Sequence, residues 1–283
     1  IPYPFFLWLE VVKMTAHDPL QDEWQEILNI SREKRLSPQE IEKERLRKGL
    51  IPQRYVRNIK AISPEEQLKL MDARVGVCGC GGLGLYVINH LARMGVGHIS
   101  VWDPDVFSES NLNRQLFSSY ANLGLSKAEV CREYIQVINP AIALATFASR
   151  WQDSDPELFK QQQVMVDALD NVSARMALAE ACAQAAIPLV HGAVGGWYGH
   201  ITVIMPGDNS LHYLYGDTNR QGIEKEQGTL SFTAATIASM QAAEVIKLLL
   251  QRESDLRDEI CMVDLLDLSI ERFQKCNSGV TLV

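Results

Sequence analysis

Apolar and polar positions divide the chain into three regimes. Up to about residue 73 charged positions dominate, and residues 18–50 are helical in character. Ser37-Pro38-Gln39-Glu40 is a capping box with proline at the first helical position, and it predicts a helix over Pro38–Lys48. Ser63-Pro64-Glu65-Glu66 repeats the signature and predicts a second helix to about Met71. From Arg74 short apolar runs alternate with amphipathic stretches. Strands are predicted at 75–78, 98–102, 142–148, 164–168 and 187–190, and helices at 83–94, 124–138, 155–162 and 172–185. That alternation predicts a parallel sheet covered by helices on both faces, with ligands at the carboxyl ends of its strands.

After Val190 the pattern changes. Tyr198–Pro206 alternates less strictly, and 207–227 reads as an irregular loop. A long helix follows over 229–250, and strands near Ile260–Leu266 and Ser269–Lys275 finish the chain. These late strands read as an antiparallel extension of the sheet.

Composition narrows the class. A chain of 283 residues with 47% hydrophobic content suits one large α/β domain, with or without an appendage. The formal net charge of −8 argues against a nucleic-acid binder and says nothing against a local phosphate site. The six cysteines sit mostly in apolar runs and form no secreted disulfide pattern, so a reducing cytoplasm is expected. Ile1–Val12 is apolar but too short to span a membrane, and it lacks the basic start of a signal peptide. Met14 is a candidate for the natural start. Thr229–Leu250 is interrupted by Thr233, Thr236, Ser239, Gln241, Glu244 and Lys247, which fits a buried helix rather than a membrane span.

The chemistry concentrates in residues 75–127. Val75-Gly76-Val77-Cys78 runs into Gly79-Cys80-Gly81-Gly82-Leu83-Gly84, a strand, a glycine turn and a helix start. Such a turn lets the backbone approach a phosphate, and the helix N-terminus adds free N–H donors. Asp103 follows at the end of the next strand, about 20 residues on, where an acid accepts hydrogen bonds from ribose hydroxyls. Alone, this pattern says only that a nucleotide binds. Arg114 and Lys127 suggest more: a site that splits ATP between its α- and β-phosphates needs cations ready for the leaving pyrophosphate. Val164-Met165-Val166-Asp167-Ala168-Leu169-Asp170-Asn171 reads as an apolar strand ending in an acid, and Asp170 at such a strand end suits magnesium.

These residues resemble the ThiF/MoeB/HesA family, bacterial relatives of the ubiquitin-activating enzymes. The resemblance covers roughly residues 54–283. It rests on Arg54-Tyr55-Val56-Arg57-Asn58, the glycine turn, Ser110-Asn111-Leu112-Asn113-Arg114-Gln115, Gly124-Leu125-Ser126-Lys127-Ala128, Asp167-Ala168-Leu169-Asp170-Asn171 and His191-Gly192-Ala193. It implies a Rossmann-like α/β fold, with an ATP-binding half over 54–190, a carrier-binding half over 191–283 and a mostly helical N-terminal extension over 1–53. It implies an adenylyltransferase that activates the C-terminal glycine of a ubiquitin-fold sulfur carrier ending in Gly-Gly. By the same resemblance Gly79, Gly81, Gly82, Gly84, Asp103, Asp105, Asn111, Gln115, Lys127 and Asn171 contact ATP. Arg114, Lys127 and Asp170 carry the chemistry, Asp170 holds Mg2+, and Arg57 reaches the ATP of a partner in a homodimer.

The chain departs from the family in two places. Many members bind zinc through two Cys-x-x-Cys pairs; here Ser210 and Tyr213, then Val280 and Val283, stand at those positions, so no zinc site is expected. No cysteine lies between Cys182 and Cys261, so a crossover-loop nucleophile is missing and the chemistry is expected to stop at the adenylate. Cys182 reads as packing, and His212 as a surface or packing residue. Three readings remain open beside carrier adenylation. They are activation of a carboxylate on a modified tRNA base or a peptide, a nicotinamide-dependent oxidoreductase, and a non-catalytic scaffold for a ubiquitin-like protein. Thiamine, molybdopterin, cysteine and tungsten-cofactor pathways all use such enzymes, and the sequence does not choose among them.

Overall fold

The computed structural model describes residues 19–216 and 227–275. The apolar segment 1–12 and the second pair of expected zinc positions lie outside the described residues.

Eight strands form one sheet in the order β3-β2-β1-β4-β5-β6-β7-β8. The parallel half comprises β1 (Arg74–Cys78), β2 (His98–Trp102), β3 (Ala143–Phe147), β4 (Val164–Asp167) and β5 (Leu189–Gly195). The antiparallel half adds β6 (Tyr198–Ile204), β7 (Glu259–Asp264) and β8 (Ser269–Gln274). The chain is therefore Rossmann-like α/β with an antiparallel extension. The strand order reverses between the neighbours β1 and β4, and a crevice opens at their carboxyl ends.

Helices α4 (Gly84–Met94), α5 (Lys127–Ile138), α6 (Pro156–Lys160) and α7 (Val172–Gln184) connect the parallel strands. Val75, Val77, Val101 and Val166 are fully buried, as are Leu85, Ile88 and Leu91 from α4. Strand residues with both faces covered thus read as continuous apolar runs. The N-terminal helices α1 (Pro19–Lys34), α2 (Pro38–Arg47) and α3 (Pro64–Asp72) precede β1. Both predicted capping boxes form, on Ser37–Glu40 and Ser63–Glu66. This region joins the core through buried Tyr55, whose hydroxyl accepts from Asn139 Nδ2 at 2.8 Å.

Three sequence expectations need correction. The strand expected to end at Val190 runs on to Gly195 with every residue buried. Gly192 and Gly195 hide it, since glycine weakens a strand reading; a Cβ at Gly192 would sit 2.6 Å from the Gln241 amide carbon. The expected irregular loop contains α8 (Ser210–Tyr215). Asp208 Oδ1 accepts from the Ser210 N–H at 2.7 Å, and buried Leu211 anchors the helix; six residues are too few to show a period. The helix expected from 124 begins at Lys127 behind its Ser126 cap. The long helix, α9, spans Ser231–Leu249, and no helix among the described residues is long and apolar enough to cross a membrane.

Candidate active site

A cavity of about 740 Å³ opens where β1, β2 and β4 end. Gly79, Gly81 and Gly82 line it, together with Asp103, Asp105, Arg114, Gln115, Lys127, Asp170 and Asn171. Three segments far apart in sequence therefore meet because three parallel strands end at one edge. Gly84 and Asn111 stand behind the wall. Gly84 opens α4 so close to the turn that a Cβ would fall 1.8 Å from the Gly79 carbonyl oxygen. The Asn111 side chain accepts from the Ser108 N–H at 3.0 Å and shapes the Arg114 loop. Arg57 is exposed and does not line this cavity.

Asp103 is 5% exposed. Its two oxygens accept from the Cys80 N–H at 2.5 Å and the Asp105 N–H at 2.8 Å. Burial pushes its carboxyl above the usual carboxylate range, opposed by the Cys80 N–H and Lys127. Each oxygen keeps a second lone pair for a ligand hydroxyl. Lys127 is nearly buried, its Nζ 2.9 Å from Asp105 Oδ2. The Arg114 guanidinium donates to the Ser110 carbonyl at 3.1 Å and to Asn113 Oδ1 at 2.8 Å. The Asp170 carboxylate accepts from Asn171 Nδ2 at 3.3 Å and is exposed on the cavity wall, a hard oxygen donor of the kind magnesium takes while keeping waters.

The residues fit a nucleotide. Gln115 Oε1 is buried without a hydrogen-bond partner, and so is Trp151 Nε1; both residues line the cavity. An orphaned acceptor and an orphaned donor are costly unless a ligand satisfies them. At Gly81 the nearest atom to an added Cβ is 4.0 Å away, so the backbone faces open space.

Sequence reasoning missed Trp102, Arg150, Trp151, Gln152 and Arg175, all of which line the cavity. Arg150–Gln152 follow β3 without a motif, and Arg175 lies one turn into α7 in a run of alanines, so only the fold reveals them. Among the described residues, Ser210 and Tyr213 belong to α8, and no group of three metal-ligating side chains gathers. The five described cysteines are all buried and free. Burial pushes the thiols of Cys78, Cys80 and Cys182 up, away from nucleophilic thiolate.

The chain is similar to known proteins. The SAMP-activating enzyme E1 of Haloferax volcanii is 34% identical over 224 residues, 77% of this chain and 83% of that protein. The molybdopterin-synthase adenylyltransferase of Salmonella typhimurium is 35% identical over 219 residues, 75% of this chain and 87% of its own length. Among solved structures, Escherichia coli MccB has the same fold, with a TM-score of 0.67 at 21% identity over 82% of this chain and 73% of that one. The ThiF family model matches residues 55–279, and with these relatives it establishes that the chain belongs to the ThiF family and is an adenylyltransferase.

Proposed function

We propose that the chain uses ATP to adenylate the C-terminal glycine carboxylate of a small ubiquitin-fold sulfur carrier ending in Gly-Gly. The observation that carries this reading is the meeting of Arg114, Lys127 and Asp170 with the glycine turn and Asp103 around one cavity. A nucleotide domain for redox chemistry has no use for those two cations and that second acid.

In this reading the turn Gly79–Gly82 takes the phosphates and Asp103 takes the ribose. A carboxylate oxygen of the carrier attacks the α-phosphorus in line; that bond forms as the bond to the bridging oxygen breaks, and pyrophosphate leaves with the electron pair. The carboxylate is already ionised at neutral pH, so no general base is needed. Arg114 and Lys127 hold the charge that grows on the leaving group, and orientation supplies the rest. Magnesium neutralises phosphate charge when bound, and Asp170 is the residue that would hold it. Arg57 of a second copy completes the cation set. No cysteine lies between Cys182 and Cys261, so in this reading the reaction ends at the acyl-adenylate, and sulfur comes from another protein.

The test is ATP–pyrophosphate exchange with purified protein, a panel of ubiquitin-fold proteins ending in Gly-Gly, and a tRNA pool. Exchange driven by one carrier supports the reading. Exchange driven only by tRNA, or none despite bound ATP, overturns it.

A further inference from the structure

Behind the Asp170 wall lies a polar cluster of which only Arg175 lines the cavity. Asp167, the last residue of β4, is fully buried. Its Oδ2 lies 2.7 Å from His191 Nδ1, and its Oδ1 accepts from the Leu169 N–H at 3.0 Å. The Tyr215 hydroxyl, at the end of α8, stands 3.0 Å from His191 Nε2 and 3.2 Å from His200 Nε2. Arg175 of α7 donates from Nη1 to that hydroxyl at 3.0 Å. Its Nε and Nη2 donate to the Leu169 carbonyl at 3.1 and 2.7 Å.

These contacts are compatible with both imidazoles neutral. His191 then donates Nδ1–H to Asp167 and leaves Nε2 as an acceptor. The Tyr215 O–H and the His200 Nε2–H, 3.0 and 3.1 Å away, both face that acceptor, and the Tyr215 oxygen accepts from Arg175. Burial holds both histidines on the neutral side. A polar network of this kind constrains the geometry of its members.

That geometry bears on Asp170. The Leu169 N–H is held by Asp167, and the Leu169 carbonyl, which shares its peptide plane with the Asp170 nitrogen, is held twice by Arg175. The backbone leading into Asp170 is therefore clamped from behind, and Tyr215 sets the guanidinium that does the clamping. We propose that Tyr215 is a positioning residue: through Arg175 it fixes the Leu169–Asp170 peptide and so aims the Asp170 carboxylate at the metal-bound nucleotide. This rests on the reading of Asp170 as the magnesium-binding acid.

The variant is Tyr215→Phe, which keeps the ring edge-on to His191 at 5.7 Å and removes only the hydroxyl. In ligand-free protein, hydrogen exchange of the Leu169 amide rises about tenfold, the scale of one lost hydrogen bond to a charged group, while β1 amides keep their rates. The magnesium concentration for half-maximal ATP binding rises about tenfold, and metal-free ATP binding is unchanged. Arg175→Lys shows both effects, and the double variant adds nothing to Arg175→Lys alone, as one pathway requires. Wild-type Leu169 exchange in Tyr215→Phe, or effects that multiply in the double variant, would overturn the proposal. Wild-type protein that binds no ATP would sink the nucleotide reading instead, and Leu169 exchange would still decide the clamp.

Discussion

Lys127 Nζ lies 2.9 Å from Asp105 Oδ2, with the lysine side chain only 8% exposed and the aspartate 62% exposed. Lys127 is also the first residue of α5. A cation at a helix N-terminus adds to the positive end of the dipole, which is unfavourable for the helix and favourable for an anion. In the proposed reading Asp105 holds the amine until phosphate competes for it. Lys127→Met is expected to lower pyrophosphate exchange by roughly 100-fold or more, the scale of losing one preorganised charge on a leaving group. A circular-dichroism melt should show the fold intact. Near-normal exchange would remove Lys127 from the reaction.

Two glycines of the turn should separate folding from binding. Gly84→Ala places a methyl 1.8 Å from the Gly79 oxygen, a backbone atom that cannot swing away. Overpacking of this kind costs about 1–3 kcal/mol or more, to be read from urea unfolding. Gly81→Ala meets nothing closer than Gln115 Nε2 at 4.0 Å, so stability should hold. Its methyl points into space the nucleotide needs, so ATP affinity should fall. The reverse pattern would mean that the turn does not face the ligand.

How far the sequence carried the structure follows from where each signal lies. The parallel half was legible because β1, β2 and β4 are short apolar runs set between amphipathic helices, and the glycine turn, Asp103 and Asp170 are local motifs at strand ends. β5 was cut short because Gly192 and Gly195 mimic a turn, although Gly192 is there to admit Gln241. α8 was invisible at six residues. The cavity wall at Trp151 and the Tyr215–Arg175 cluster come from residues brought together only by the fold, and neither leaves a spacing in the sequence.

Lys275 offers a test of how the antiparallel half is held. Its Nζ lies 2.7 Å from Asp208 Oδ2 and donates to the Val203 and Arg257 carbonyls at 2.6 and 3.0 Å. Asp208 also takes the Ser210 N–H, so one carboxylate ties the exit of β8 to the start of α8. Both side chains are largely buried, so Lys275→Met strands the acid and should cost about 3 kcal/mol in urea unfolding. Unchanged stability would show that the ion pair holds nothing.

His191 and His200 make stability depend on pH in a defined direction. Burial is the largest cause that holds His191 and His200 below the ordinary imidazole value; for His191, Asp167 opposes it, and Arg175 and Lys275 add to it. In the unfolded chain each titrates near ~6.5. Above that pH neither state is protonated, and the contribution is fully present. As pH falls below it the unfolded chain takes up protons that the folded chain refuses, so stability falls with pH until the folded values are reached. Each imidazole contributes a slope of up to about 1.4 kcal/mol per pH unit in that window. His90 and His98 are half-buried and shift the same way, so the measurement is a difference between two proteins. Unfolding free energies of wild type and His200→Gln, taken from pH 7.5 down to about 5.5, should diverge in slope, the variant being flatter by about one proton. Parallel curves would mean that His200 is protonated in the folded protein, and the neutral imidazoles beside Tyr215 would then be wrong.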